Sequence, residues 1–402
     1  MNRREFFHLG LGTAAALALA PIAHSLGDSP ALPATNPLLR HRFGVDYTPS
    51  KNWYYCWNDF DPDAIARDFD AIAALGADHL RVMLLWPDFQ PNPRWVSEAH
   101  LARFDRLMQL AGERKLAVCA TMLNGWLSGY GFRPTFDDRN KFYESATEWA
   151  ALEIYFRHVA AVAVTHDNFL GFDLGNEMNC YWSTPDLAKG DAWLEKALAL
   201  CESVAPHAVA HVEGVDHQPW FAPTTFSAKK LATRQPIVAL HCWTAFTGAL
   251  KRGPALGPQS LRLGAAMSAL ARAYAGDPHK PTWVQEYGAS ATWMPEKDIP
   301  TYVEKATLAG VEAGVSWHTW WASHDIDRKF QFAELEYDLG LLTVDNRPKD
   351  RAHAFKAVAD AHRGQPVRLP STDTLPALPE KQTADATWQW LLDWMARNPQ
   401  VG

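Results

Sequence analysis

Short apolar runs alternate with amphipathic segments along most of the chain. The apolar runs predict eight strands, over residues 42–47, 79–85, 116–122, 169–174, 208–212, 237–241, 282–285 and 315–321. Their nearly continuous apolar character is typical of parallel strands that are buried on both faces. Helical spacing predicts helices over residues 62–75, 98–111, 145–165, 191–204, 260–274, 299–313 and 349–362, with an irregular proline-rich connection between the fifth and sixth strands.

Residues at helix starts support this pattern. Asp61 is a good N-cap for the first helix, with Pro62 at its first position, and Ser97 caps the second helix. Eight strands alternating with helices predict an α/β fold, a (β/α)8 TIM barrel formed by one domain over residues 43–363. An open doubly wound sheet is the main alternative, but no Gly-x-Gly-x-x-Gly follows any predicted strand.

The amino-terminal end carries an export pattern. Residues 2–7 read Asn-Arg-Arg-Glu-Phe-Phe, and a mostly apolar run follows over residues 9–20. We predict that residues 1–25 are a twin-arginine signal peptide, with the small residues Ala23 and Ser25 flanking a plausible cleavage point, and that the protein is periplasmic or secreted. The alternative is an uncleaved anchor, but the run is shorter than the roughly 20 residues that span a bilayer, so we expect no membrane span.

Two further segments flank the barrel. Residues 26–42 are predicted to be a leader, and residues 364–402 a proline-rich tail that ends in a short amphipathic helix. That helix carries apolar residues at helical spacing, namely Trp388, Leu391, Leu392 and Met395. We expect it to dock on the side of the barrel.

Charge and composition exclude several functions. The formal net charge is −7, from 38 Lys and Arg against 45 Asp and Glu, so the chain lacks the basic surface that nucleic acid requires. Its five cysteines are scattered without Cys-x-x-Cys, and its 16 histidines lack metal-binding spacing. We therefore expect no disulfide framework, no metal and no cofactor, and a partner that is neutral or small. The sequence does not indicate an oligomeric state.

Two glutamates end short apolar strands. Glu177 follows the fourth predicted strand, directly after Asn176, and Glu286 follows the seventh. In a (β/α)8 barrel the carboxyl ends of the strands form the active site. Cleavage of a glycosidic bond uses two such carboxyl groups, one to protonate the leaving oxygen and one to attack or to activate water. A barrel that binds oligosaccharide without cleaving it is a remote alternative. Such a barrel would lack one of the two glutamates, and both are present in this sequence.

Other polar and aromatic residues also lie at predicted strand ends and are candidate substrate contacts. They are Asn124, Trp126, Asn176, His241, Trp243, Tyr287, Trp320, Trp321, His324 and Asp325, together with Arg81 on the second strand. Glu213 and Cys242, which also follow strands, are predicted to be structural.

These residues resemble glycoside hydrolase family 5 of clan A. The resemblance rests on Leu-Gly-Asn-Glu at residues 174–177, with the strand-seven glutamate, the strand-two arginine, the strand-six histidine and the strand-eight tryptophan. Three further motifs resemble subfamily 18, whose members are β-mannosidases acting on Man-β-1,4-GlcNAc, the core unit of N-glycans. They are Phe-Gly-Val-Asp-Tyr-Thr-Pro at 43–49, Leu-Trp-Pro at 85–87 with Gln-Pro-Asn at 90–92, and Trp-Ala-Ser-His-Asp at 321–325.

The resemblance implies a retaining mechanism on a β-mannoside oligosaccharide. Glu286 is then the nucleophile and Glu177 the acid/base, with carboxyl groups about 5–5.5 Å apart. Arg81 is expected to keep Glu286 charged, and Asn176 to bind the sugar 2-hydroxyl. The chain departs from the family at two places, because the usual histidine after strand three is replaced by Asn124 and the usual His-x-Tyr of strand six by His241-x-Trp243.

Those departures leave two expectations. The phenol that contacts the nucleophile is expected to come from Tyr287. His324 with Asp325 is expected to clamp the sugar, and the alternative is that the two residues only hold the loop. Three long connections, 49–61, 124–144 and 323–347, are able to wall off one end of the cleft, which favours exo action. An open groove would instead indicate an endo-β-1,4-mannanase or an endoglucanase.

Overall fold

The computed structural model describes residues 36–369, 375–399 and 401, which form one compact unit. The predicted signal peptide, residues 1–25, lies outside the described residues, as do residues 26–35 of the predicted leader.

Eight parallel strands form a single sheet. They are β1 (Arg42–Asp46), β2 (His79–Met83), β3 (Ala117–Leu123), β4 (Phe169–Asn176), β5 (Val212–Gly214), β6 (Val238–His241), β7 (Thr282–Tyr287) and β8 (Trp317–Trp320). Their order is β5-β4-β3-β2-β1-β8-β7-β6, so β1 pairs with both β2 and β8. The sheet is a nearly closed barrel, which confirms the predicted (β/α)8 TIM barrel.

Helices cover the outside of this barrel. They are α1 (Pro62–Ala74), α2 (Trp86–Phe89), α3 (Glu98–Glu113), α4 (Ala146–Ala163), α5 (Met178–Tyr181), α6 (Leu187–Val204), α7 (Gln218–Phe221), α8 (Ala228–Arg234), α9 (Pro258–Leu261), α10 (Leu263–Ala275), α11 (Ile299–Glu312), α12 (Asp350–His362) and α13 (Ala384–Arg397). The expected caps form, since Asp61 accepts from the amide of Ala64 at 3.0 Å and Ser97 from that of His100 at 3.4 Å. None of the helices in the described residues combines the length and apolar character that a membrane crossing needs.

The fifth strand begins later than predicted. The amides of Val209 and Ala210 both donate to the carbonyl of Leu170, so the regular ladder with β4 starts only at Val212. Gly171 permits this close approach, because a side chain there would meet the carbonyl oxygen of Ala210 at 2.1 Å. The proline-rich connection that follows is also more regular than predicted, since it contains α7 and α8.

The tail packs against the barrel helices. In α13 the side chains of Trp388, Leu391 and Met395 are buried, whereas Leu392 is exposed. The Trp388 indole donates to the carbonyl of Thr247 at 2.8 Å. This helix therefore contacts the connection that follows β6.

Candidate active site

Glu177 and Glu286 lie close together at the carboxyl ends of β4 and β7. Their side chains are 15% and 4% exposed, and a carboxylate oxygen of one lies within 4.8 Å of a carboxylate oxygen of the other. Glu177 has a left-handed backbone conformation, with φ 46° and ψ 47°, and its amide donates to the carbonyl of Gly214 at 2.9 Å. Strained backbone of this kind in a non-glycine residue persists where the surroundings fix it, as in active sites.

Arg81 supports Glu286 from beneath. Its Nη1 donates to Glu286 Oε1 at 2.5 Å and to Asp46 at 3.0 Å, its Nε donates to Asp173 at 2.8 Å, and its Nη2 donates to Asn176 Oδ1 at 2.8 Å. The guanidinium is fully buried, so it does not reach the substrate. It was predicted as a substrate contact, but the structure assigns it to positioning and charging Glu286, because a cation beside a carboxylate favours the anion.

The two glutamates differ in what surrounds them. Burial, followed by the negative charge of Asp216, raises the pKa of Glu177 to about 8, while His217 and Arg81 oppose that rise. Burial also raises the pKa of Glu286, but the Arg81 guanidinium and the Trp243 indole lower it. Because Arg81 is in direct contact with Glu286 and not with Glu177, Glu286 ionises first and Glu177 retains its proton at neutral pH.

His241 lies between the two carboxyl groups. Its Nδ1 is 2.9 Å from Glu177 Oε1 and 3.2 Å from Glu286 Oε2, and its Nε2 is 3.1 Å from Gln285 Oε1. Burial lowers the pKa of this imidazole, so it is neutral. A neutral imidazole keeps the two glutamates in fixed relative positions without adding a charge to the site.

A pocket of about 450 Å³ opens above the two glutamates. Its lining includes seven of the predicted site residues: Trp126, Asn176, Glu177, His241, Trp243, Glu286 and Trp321. Asn176 accepts from Arg81 and donates one N–H to the carbonyl of Trp126 at 2.8 Å, which leaves its second N–H for a ligand. A concave site of this volume accommodates a small ligand.

The predicted contact between the Tyr287 hydroxyl and Glu286 is wrong. It directly follows Glu286 in β7, and successive side chains of a strand point to opposite faces, so its ring lies on the far side of the sheet from the pocket. Its hydroxyl is 2.7 Å from Thr307 Oγ1. The donor to Glu286 is instead Trp243, whose Nε1 donates to Glu286 Oε2 at 3.1 Å.

The prediction that Trp320 contacts the substrate is wrong for the same reason, because Trp320 is the last residue of β8 and directly precedes Trp321, which lines the pocket. It is buried, and its indole donates to the carbonyl of Leu339 at 2.9 Å. Asn124 is also buried beneath the pocket, where it donates to the carbonyl of Leu84 at 2.7 Å.

The predicted sugar clamp is wrong as well. His324 is buried, with Nε2 2.9 Å from Asn346 Oδ1 and Nδ1 3.1 Å from the carbonyl of Thr48. Asp325 accepts from the Lys349 ammonium at 2.9 Å and from the amide of Gly340 at 3.0 Å. These two residues hold the connection between β8 and α12 in place and do not line the pocket.

Several residues of the site were not predicted from the sequence. Asp46 and Asp173 pair with Arg81, and a buried acid inside an apolar strand is itself a sign of a buried cation. The pocket walls come from connections between elements, whose geometry a pattern of apolar residues does not predict. Wall residues include Ser128, Asp216, His217, Phe246, Leu335 and Glu336.

Ligand atoms of Glu177, His241 and Glu286 lie within 4.8 Å of one another, a spacing that a metal ion is able to use. However, Arg81 already contacts Glu286, and a second cation at that carboxylate is disfavoured by the guanidinium charge. The donor set therefore fits a hydrogen-bonded acid pair better than a metal centre.

No protein-family model matches this chain, and no curated protein sequence does. Solved structures do match. A GH5_18 protein from Streptomyces cattleya, in complex with GlcNAc, is 32% identical with a TM-score of 0.79 over 87% of each chain. A glutamate-to-alanine variant of GH5_18 from the same organism, in complex with Man-β-1,4-GlcNAc, is also 32% identical, with a TM-score of 0.79 over 86% of this chain and 87% of that chain. A GH5_18 protein from Bifidobacterium longum subsp. infantis is 27% identical, with a TM-score of 0.77 over 82% of this chain and 80% of that one.

A (β/α)8 barrel with two adjacent buried glutamates at its strand ends, together with these structural relatives, defines a glycoside hydrolase. The chain belongs to glycoside hydrolase family 5, and within it to subfamily 18.

Proposed function

We propose that this protein is a retaining, exo-acting β-mannosidase that hydrolyses Man-β-1,4-GlcNAc. The observation that carries the proposal is the pair of carboxylate oxygens within 4.8 Å in a small pocket. Retaining enzymes hold their carboxyl groups about 5–5.5 Å apart, whereas inverting enzymes hold them about 6.5–9.5 Å apart to admit a water. The binding of GlcNAc and Man-β-1,4-GlcNAc by similar proteins supports the choice of substrate.

The reaction follows from the charges of the two glutamates. Glu286, held anionic by Arg81, attacks the anomeric carbon of the terminal mannose, while Glu177 gives its proton to the leaving oxygen of GlcNAc. A covalent mannosyl–Glu286 ester forms as the glycosidic bond breaks. Glu177, now anionic, takes a proton from a water molecule that attacks the ester, and mannose leaves with its β-configuration retained.

Exo action is supported by the contact between two long connections. Tyr130, which follows β3, donates its hydroxyl to the carbonyl of Gln331, which follows β8. The rings of Phe332 and Tyr130 lie 5.1 Å apart, and Phe332 also contacts Trp53 at 4.8 Å. This aromatic contact joins three of the connections that follow strand ends, which supports a pocket that receives a chain end rather than the middle of a polymer.

The test is hydrolysis of Man-β-1,4-GlcNAc beside β-1,4-mannobiose, mannan and carboxymethyl-cellulose, with Glu286→Ala as the control variant. We expect fast release of mannose from the disaccharide, and β-mannose as the first product in a time-resolved NMR spectrum. Because the nucleophile is lost, Glu286→Ala should reduce kcat by about 10⁴-fold or more. Activity on the polymers alone would contradict exo action and favour an endo-β-1,4-mannanase or endoglucanase, and initial α-mannose would contradict retention.

Export through the twin-arginine pathway is part of the same proposal, and it rests on Arg3 and Arg4 in the sequence. Replacement of both arginines by lysine should leave the protein in the cytoplasm, as cell fractionation would measure. An unchanged distribution of the double variant would contradict this route.

A further inference from the structure

The pocket contains a third carboxyl group, that of Glu336. This residue ends a one-turn 3-10 helix, Glu334–Glu336, in the connection between β8 and α12. It lines the same pocket as Glu177 and Glu286, together with its neighbours Leu335 and Leu339.

Glu336 lacks a cation of its own. Within the described part of the chain, no Lys, Arg or His side chain forms an ion pair with it, whereas Glu334, two positions earlier, pairs with Arg328 at 2.6 Å on the surface. The hydroxyl of Ser128 lies in the same pocket and lowers the pKa of Glu336; its oxygen is buried and has no hydrogen-bond partner among the described residues. A desolvated carboxyl group with so few partners is costly unless a ligand completes its hydrogen bonds.

The surroundings of Glu336 disfavour its ionisation without preventing it. Burial raises its pKa to about 7; the charges of Glu286 and Glu177 also raise it, and the Ser128 hydroxyl lowers it. Near neutral pH, this group therefore exists in both protonation states. Donors from a ligand would stabilise the anion, as hydrogen bonds to a carboxylate do.

We propose that Glu336 binds hydroxyl groups of the terminal sugar and so helps to select that sugar, an inference that rests on the proposed function. Sugar hydroxyls are the donors that such a carboxylate lacks, and two adjacent hydroxyls match its two oxygens. The Ser128 hydroxyl supplies a further donor and acceptor at the same position.

Its place in the barrel assigns Glu336 to the terminal sugar rather than the leaving one. Because Glu177 protonates the leaving oxygen in the proposed mechanism, we expect the leaving sugar on the side of Glu177, where Asp216 and His217 follow β5. Glu336 follows β8, and around the nearly closed barrel β7 and β6 lie between β8 and β5, since β6 contacts β5. The aromatic ring on the same side of the pocket is that of Trp321, which directly follows β8.

The experiment compares Glu336→Gln with the wild type on two substrates, 4-nitrophenyl β-mannoside and Man-β-1,4-GlcNAc. We expect kcat/KM to fall about 10- to 100-fold on both, because both present the same terminal mannose and each loses hydrogen bonds to a charged group. Glu334→Gln, on the same short helix but outside the pocket, is the matched control and should keep kcat/KM within twofold of wild type.

A pH profile separates binding from a structural role. Removal of the negative charge of Glu336 lowers the pKa of Glu177, so the alkaline limb of kcat/KM should move to lower pH in Glu336→Gln. The other groups that set the pKa of Glu177, namely Asp216, His217 and Arg81, are unchanged in this variant. Glu336→Asp, which keeps the charge at a shorter reach, should leave that limb in place while it lowers kcat/KM.

Three results would overturn the inference. The first is a loss confined to the disaccharide, which would place Glu336 at the leaving sugar. The second is unchanged kcat/KM on both substrates, and the third is a loss with an unmoved alkaline limb and a lower melting temperature. Wild-type enzyme that cleaves neither substrate would instead contradict the proposed function, and the Glu336 comparison would then be made on 4-nitrophenyl β-glucoside, to which the same expectations apply.

Discussion

The floor and the wall of the pocket are stabilised in different ways. In the floor, the single guanidinium of Arg81 holds Asp46, Asp173 and Glu286, all of them almost fully buried. Part of the wall comes from the connection after β8. The charged residues of that connection pair at the surface, as Arg328 does with Glu334, and both side chains are about two-thirds exposed. Exposed pairs of this kind contribute little to stability, whereas breaking a buried pair is strongly destabilising.

This difference separates two tasks. Backbone register positions the floor, since Asp46 and Arg81 are direct partners in the ladder between β1 and β2. The floor therefore fixes Glu286, the proposed nucleophile, which every substrate of the family needs. The wall is positioned by loop contacts that tolerate change, and it is where recognition of a particular sugar is able to vary.

The largest expected effect comes from breaking the floor. Arg81→Met leaves three carboxyl groups without their cation, so we expect a loss of about 3–5 kcal/mol in the free energy of unfolding. The pKa of Glu286 should rise, so the acid limb of kcat/KM should move to higher pH. Urea denaturation and the pH–rate profile measure the two effects. A variant as stable as wild type would contradict the view of the floor as a charge-paired unit.

Trp243→Phe tests the floor at the second oxygen of the nucleophile. Loss of the indole N–H should lower kcat/KM about 10-fold and raise the pKa of Glu286, which again moves the acid limb upward. Trp243→Tyr places a hydroxyl donor near the same oxygen and should retain more activity. Trp126→Phe, which alters the wall without touching Glu286, should change KM and leave the acid limb in place; equal shifts in both variants would contradict the assignment.

The floor was predictable from the sequence as far as the strands and their ends were predictable. Apolar runs located eight strands, and the strand ends located Glu177 and Glu286. The errors at Tyr287 and Trp320 were avoidable, because each adjoins a residue that faces the pocket and side chains alternate along a strand. Once Glu286 and Trp321 are assigned inward, their neighbours point outward.

The wall was not predictable in this way. Glu336 lies in the connection between β8 and α12, where no strand or helix period relates its position to the pocket. His324 and Asp325 were placed in the site because they follow a strand, yet their partners, Asn346 and Lys349, come from more than 20 positions later in the same connection. Such contacts depend on the path of the loop, which a local pattern does not determine.

A smaller effect is expected at Asp216, a wall residue whose charge acts on the pKa of Glu177. The charge of Asp216 raises the pKa of Glu177, and Asp216 itself stays ionised because hydrogen bonds from His217 and Asn179 outweigh its burial. Activity requires protonated Glu177 and is lost as the pH rises through about 8. In Asp216→Asn that alkaline limb should move to lower pH by a fraction of a unit, whereas Asp345→Asn, at an exposed position, should leave it unchanged. A limb that stayed in place in Asp216→Asn would contradict this account of the acid.

The smallest effect is expected at Asp325. Asp325→Asn keeps an acceptor for the amide of Gly340 but loses the charge that faces Lys349, so the free energy of unfolding should fall by about 1 kcal/mol. KM should stay within twofold of wild type, because the side chain holds the loop and does not line the pocket. Thermal unfolding and steady-state kinetics measure these separately. A tenfold rise in KM with unchanged stability would support the original prediction that Asp325 contacts the sugar. It would also mean that this connection changes conformation when the substrate binds.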